Sequence, residues 1–169
     1  DAGVTFGVFE NFRQSPGTRH LRWAFDGGPG GTLQMLMLAY AGVWWAPNRI
    51  VAETPWRHRK LEAGGIALDL GVHFFDQIRH GYGCGTKIGQ GTVYYGTGGR
   101  ITGEDWTASS GNQQTLSKVF AEQAPAELQQ RLFPLGLQDS FALNQYDWLQ
   151  AIREGRLPET SGAEGTRDL

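Results

Sequence analysis

Cysteine is almost absent from this chain: Cys84 stands alone. One cysteine cannot close an internal disulfide or supply a two-cysteine zinc motif. Lysine is nearly as scarce, with only Lys60, Lys87 and Lys118. Charged residues make up 19% of the chain and the formal net charge is -2. That balance excludes a strongly basic nucleic-acid binder and a polybasic membrane-surface protein. No apolar run approaches the roughly 18 residues of a membrane span. The first residues, Asp1-Ala2-Gly3-Val4-Thr5, have neither a basic stretch nor an apolar one. No signal peptide is read there, and a cytoplasmic location is expected. With no initiator Met, the chain is expected to begin inside something larger or after processing.

Glycine and aromatic residues are plentiful. Glycine occupies 25 of 169 positions, roughly twice its usual share. The apolar fraction is 40%, the aromatic fraction 12%, and there are six Trp, which argues against a disordered chain. The length suits one domain with a real core, and is short for a two-domain enzyme.

Local signals divide the chain. Residues 4–9 read as a short strand. Ser15-Pro16 reads as a helix start, with Ser as N-cap and Pro at the first helical position. That helix should end at Gly27-Gly28-Pro29-Gly30-Gly31. Residues 32–43 read as a strand buried for much of its length. Residues 45–62 form an aromatic-bearing loop, followed by a helix over about 66–79. A strand near 92–95, a turn at Gly98-Gly99 and a returning strand at 100–102 form a hairpin. Helices are expected over 112–123, 125–131 and 138–154. The last has an apolar row of Phe141, Trp148, Leu149 and Ile152, broken by Gln145, with Gly155 as its cap.

The helix over 66–79 carries the chemistry. It is apolar on most sides, so it should be buried. At about 100° per residue, Asp69, His73, Asp76 and His80 fall within roughly 60° of one another. A polar line on a buried helix faces a pocket, a metal or another chain, because unpartnered buried charge is costly. The plainer reading makes Asp69 and His73 an i, i+4 pair that satisfies itself in a core. The chemical reading makes His73 a general acid/base, with Asp69 holding it or binding substrate, since imidazole titrates near neutrality. A metal reading is weaker, because no third ligand stands at a recognisable spacing. Trp56 and Arg57 could bind a polyol or an acid, although such pairs commonly just pack on a surface. None of the glycine tracts matches a dinucleotide fingerprint or a P-loop, and no Ser sits in a nucleophile elbow.

Several motifs together resemble a known family. They are Thr54-Pro55-Trp56-Arg57, then Gly64-Gly65, then Asp69-Leu70-Gly71-Val72-His73 and Asp76. Glu10-Asn11-Phe12-Arg13, Asp139-Ser140-Phe141-Ala142 and Pro158-Glu159-Thr160-Ser161-Gly162 support the same resemblance. The pattern is similar to the C-terminal domain of the Gfo/Idh/MocA oxidoreductases, which include glucose–fructose oxidoreductase. The resemblance implies an α/β (α+β) fold built on an open, mostly antiparallel sheet, like the C-terminal domain of glyceraldehyde-3-phosphate dehydrogenase. It implies hydride transfer between NAD or NADP and a sugar or cyclic polyol, with the cofactor bound mainly by a separate Rossmann domain. It assigns His73 and Asp69 to catalysis and Trp56 and Arg57 to the substrate side.

The chain departs from the family pattern in three ways. It has no dinucleotide fingerprint and no Glu-Lys-Pro. Only twelve residues separate Arg79 from Thr92, where the family runs through several strands. Residues 1–169 are therefore expected to form one partial substrate-binding or oligomerisation-type domain, without an N-terminal dinucleotide-binding domain. A fragment, an internally deleted paralogue and a gene-prediction product all fit that description. The expected partners are a sugar or polyol, a Rossmann domain and a second copy of the chain, with no nucleic acid and no membrane. The alternative is a non-catalytic dimerisation or interaction module derived from the same family.

Overall fold

The computed structural model describes residues 3–37, 73 and 92–166. Helix α1 spans Pro16–Asp26, with Ser15 as N-cap and Pro at its start. The Ser15 hydroxyl accepts from the Thr18 amide at 3.3 Å, satisfying one of the unpaired first-turn donors. Gly27, at φ 148, ends the helix, and its amide donates to the Trp23 carbonyl. Both ends fall where the sequence places them.

Five antiparallel strands follow in the order of the chain: β1 Leu33–Met37, β2 Val93–Gly96, β3 Gly99–Thr102, β4 Asp105–Ala108 and β5 Gln113–Thr115. This is the open antiparallel sheet expected from the sequence. The β2–β3 hairpin turns through Thr97-Gly98, with Gly96 opposite Gly99. Residues 38–43 of the expected first strand lie outside the described residues. The expected strand over residues 4–9 is only a single antiparallel bridge, Gly7 to Ser161. Gly7 meets Trp148 and Pro158 there, so that segment packs on a late helix instead of joining the sheet.

The helix expected over 112–123 is two elements. Gln113–Thr115 is β5, pairing with residues 105–107 of β4, and α2 runs over Leu116–Gln123. Ladder pairing with β4 overrides the helical preference of the two glutamines. Helix α3 covers Ala126–Leu132, a 3-10 turn covers Pro134–Gly136, and α4 covers Ser140–Glu154. A short α5 spans Gly162–Thr166.

Registration puts Leu36, Tyr94, Ile101 and Trp106 in one row across the first four strands. Tyr94, Ile101 and Trp106 are buried and share a core with Leu21, Trp23, Val119 and Phe120 from α1 and α2. One face of the sheet is thus sealed by helices. Trp23 meets Phe120 edge-on at 5.1 Å, and Phe120 meets Phe133 at 5.6 Å, geometries that aromatic quadrupoles favour.

The glycine tracts serve this packing. A Cβ on Gly98 would strike the Pro29 carbonyl, and one on Gly30 would lie 2.7 Å from the Ala24 carbonyl. The turn after α1 and the tip of the β2–β3 hairpin therefore approach backbone to backbone. Gly98 donates to the Gly30 carbonyl at 3.1 Å across that contact.

Helix α4 corrects the expectation for its buried face. Leu143, Asn144 and Ala151 are buried, while Phe141, Leu149 and Ile152 are about half exposed. The cause is polar. Thr160 donates to Asn144 at 3.3 Å, and the Glu159 amide donates to Asp147 at 2.6 Å. The segment 158–161 thus holds the polar side of α4 inward. Among the described residues no helix is long and apolar enough to cross a membrane.

Candidate active site

His73 is helical in the structure, as the sequence implies. Its imidazole Nδ1 lies 2.5 Å from Oε2 of Glu10, with side-chain exposures of 29% and 9%. The second carboxylate oxygen, Oε1, accepts from the Phe12 amide at 3.1 Å. The Phe12 ring meets the imidazole edge-on, with centroids 4.6 Å apart. A tripeptide that starts at Glu10 therefore supplies a carboxylate and an aromatic wall to one histidine.

The chemistry follows from the donor inventory. A carboxylate only accepts, so Nδ1 carries the hydrogen in this contact. In the neutral ring Nε2 then keeps its lone pair and can take a proton. Fixing one nitrogen of an imidazole to free the other is how a histidine is prepared for acid–base work. The Phe12 amide holds the carboxylate, the carboxylate holds the ring, and the Phe12 ring limits its tilt.

Asp69, Trp56 and Arg57 lie outside the described residues, as do Asp76 and His80. Of the expected site residues, His73 is the one the described structure places. Glu10 is the partner that periodicity could not supply, because it stands 63 residues from His73. The sequence signal was the Glu10-Asn11-Phe12-Arg13 stretch, which the resemblance marked without a role. Among the described residues, no three His, Cys, Asp or Glu side chains form a group able to hold a metal ion.

No protein-family model matches this chain, and no curated protein matches it either. A solved structure of an oxidoreductase from Agrobacterium radiobacter, in complex with NAD+, L-tartaric acid and magnesium, has a similar fold. The TM-score is 0.62 with 16% sequence identity over 98% of this chain. The likeness at that identity is one of fold. This chain spans 60% of the length of that protein.

Proposed function

We propose that this chain is the substrate-side domain of an NAD(P)-dependent oxidoreductase that acts by hydride transfer on a sugar or cyclic polyol. The Glu10–His73 contact carries the reading: a histidine prepared for proton transfer on a fold similar to that of an oxidoreductase. That oxidoreductase holds NAD+ and a hydroxylated acid in its crystal structure, which suits a hydroxyl-bearing substrate. His73 Nε2 takes the proton of the substrate hydroxyl, and Glu10 keeps the ring in the accepting tautomer. Asp69 holds His73 or binds substrate, and Trp56 and Arg57 contact the substrate. These three roles rest on the resemblance of their motifs.

The described residues do not fit a dinucleotide. A dinucleotide site needs free amides of a glycine turn at a helix N-terminus. Here the amides of Gly28, Gly30 and Gly98 donate to the carbonyls of Trp23, Ala24 and Gly30. The resemblance assigns NAD or NADP mainly to a separate Rossmann domain, and only the proton step is assigned to these residues.

The test restores a Rossmann domain in cis and measures turnover and melting temperature on the same variants. His73→Ala should lower kcat by about a hundred- to ten-thousand-fold, with cofactor affinity nearly unchanged. Glu10→Gln should fall between the unmutated protein and His73→Ala. Unchanged turnover per folded molecule in His73→Ala would sink the catalytic role.

One observation favours the second reading, a dimerisation module without catalysis. Met35 and Met37 on β1 are each 49% exposed, and Phe141, Leu149 and Ile152 on α4 are about half exposed. Such surfaces favour association with a second copy. A monomer in sedimentation across a wide concentration range would count against it.

A further inference from the structure

We propose that a cavity between α1 and α3 is a binding site for a small carboxylic acid with an apolar body. Its volume is about 450 Å³, within the range of small-molecule sites. Neither Glu10 nor His73 is among the described residues that line it.

The wall is unusually cationic. Arg13, Arg19, Arg22 and Arg131 line it, against two acids, Asp26 and Glu159. Residues three and four apart share a helix face, so α1 presents Arg19, Arg22, Trp23 and Asp26 together. Arg131, exposed in the last turn of α3, faces them from the other side of the cavity. Trp23, Leu128 and Leu132 give the same space an apolar wall.

Two of the guanidinium groups are buried, with side-chain exposures of 1% for Arg13 and 9% for Arg19. Arg19 donates to the Leu132 carbonyl and to Gln14, and it meets Glu159 at 3.3 Å. Its Nε nevertheless is a buried donor with no hydrogen-bond acceptor, and so is Nε2 of the adjoining Gln14. An orphaned buried donor is costly. Neither atom has solvent contact and Gln14 is not among the lining residues, so these orphans mark how tightly the wall behind the cavity is packed. Burial also lowers the pKa of Arg19, with Glu159 offsetting the effect only in part.

A carboxylate answers the charge that the exposed Arg22 and Arg131 bring to the rim. It is planar, it only accepts, and it matches the guanidinium fork. The rim arginines draw an anion in, and the indole of Trp23 with Leu128 covers an apolar body. A bare inorganic anion would meet the charge and leave the apolar wall uncovered.

The experiment is calorimetric titration of the full chain with phenylacetate, with 2-phenylethanol as the neutral counterpart and inorganic phosphate as the bare anion. Phenylacetate should bind saturably, one to one, and at least about tenfold more tightly than either comparator. Arg131→Gln should weaken it about five- to tenfold. Asp26→Asn removes the acid paired with Arg22 at 3.0 Å and should tighten it. Both positions are exposed, and far-UV circular dichroism verifies that the variants fold. The opposite signs of the two substitutions keep the test independent of a general loss of stability. Equal binding of phenylethanol would reduce the site to an apolar hollow. Equal binding of phosphate would reduce it to an anion patch. Either result overturns the proposal, as would no saturable binding or an affinity indifferent to both substitutions.

Discussion

His20 lies in the second turn of α1 with 8% of its surface exposed. Its ring stands 4.6 Å from that of Phe120 and 5.2 Å from that of Phe133. Burial among these rings disfavours the imidazolium and pushes its pKa down to about 4. An unfolded histidine titrates near 6.5. Below that pH the unfolded chain binds a proton that the folded chain refuses, so acid drains stability. The contribution is intact above about pH 6.5 and falls by about 1.4 kcal/mol per pH unit as pH drops. At pH 5 the loss is about 2 kcal/mol, and it levels off near 3 kcal/mol below the folded pKa. For a chain of this size, 2 kcal/mol corresponds to a melting-temperature drop of roughly 4–8 °C. The assay is urea unfolding from pH 8 to pH 4, run in parallel on the native chain and on His20→Phe. The substitution keeps an aromatic ring and removes the proton site. Carboxylates titrate in both proteins, so the difference between the curves isolates His20. The native chain should lose about 2 kcal/mol more than the variant between pH 8 and pH 5. Parallel curves would refute the argument, as would a histidine resonance of His20 titrating near 6.5 in the folded protein.

Two substitutions test the architecture. Gly99 adopts φ 151, and a Cβ there would strike the Thr107 carbonyl and come within 2.7 Å of Trp106; Gly99→Ala should cost about 2 kcal/mol or more in denaturant unfolding. Asp139 caps α4 by accepting from the Ala142 amide at 2.8 Å; Asp139→Ala should cost about 1 kcal/mol in thermal unfolding, and Asp139→Asn little.

The parts legible in the sequence are those that chemistry within a few residues decides. Ser15-Pro16 and Gly27 delimit α1, and Gly155 ends α4 in the left-handed region at φ 66. The β2–β3 hairpin was legible from its glycines. Strand β5 was not, because Gln113-Gln114-Thr115 is exposed throughout and has no alternating pattern. Pairing with β4 alone makes it a strand. The inward face of α4 was misread for a related reason: Asn144 and Asp147 look like solvent-facing residues until the segment 158–161 arrives to bond them. His73 was singled out from the polar line of an apolar stretch, and the structure places it against Glu10. Glu10 was not, since a contact across 63 residues leaves no periodic trace.

The bond from Arg13 to the Glu159 carbonyl spans 146 residues, and it sets a clock on the making of this protein. A ribosome adds about 5–20 residues per second. Arg13 therefore waits roughly 7–30 s after its own synthesis before Glu159 exists to receive it. Glu10 waits less than half as long for His73. The nascent chain thus holds both members of its histidine pair while a guanidinium destined for the interior still lacks its acceptor. The bridge between Gly7 and Ser161 and the ion pair of Arg13 with Glu164 need residues made later still.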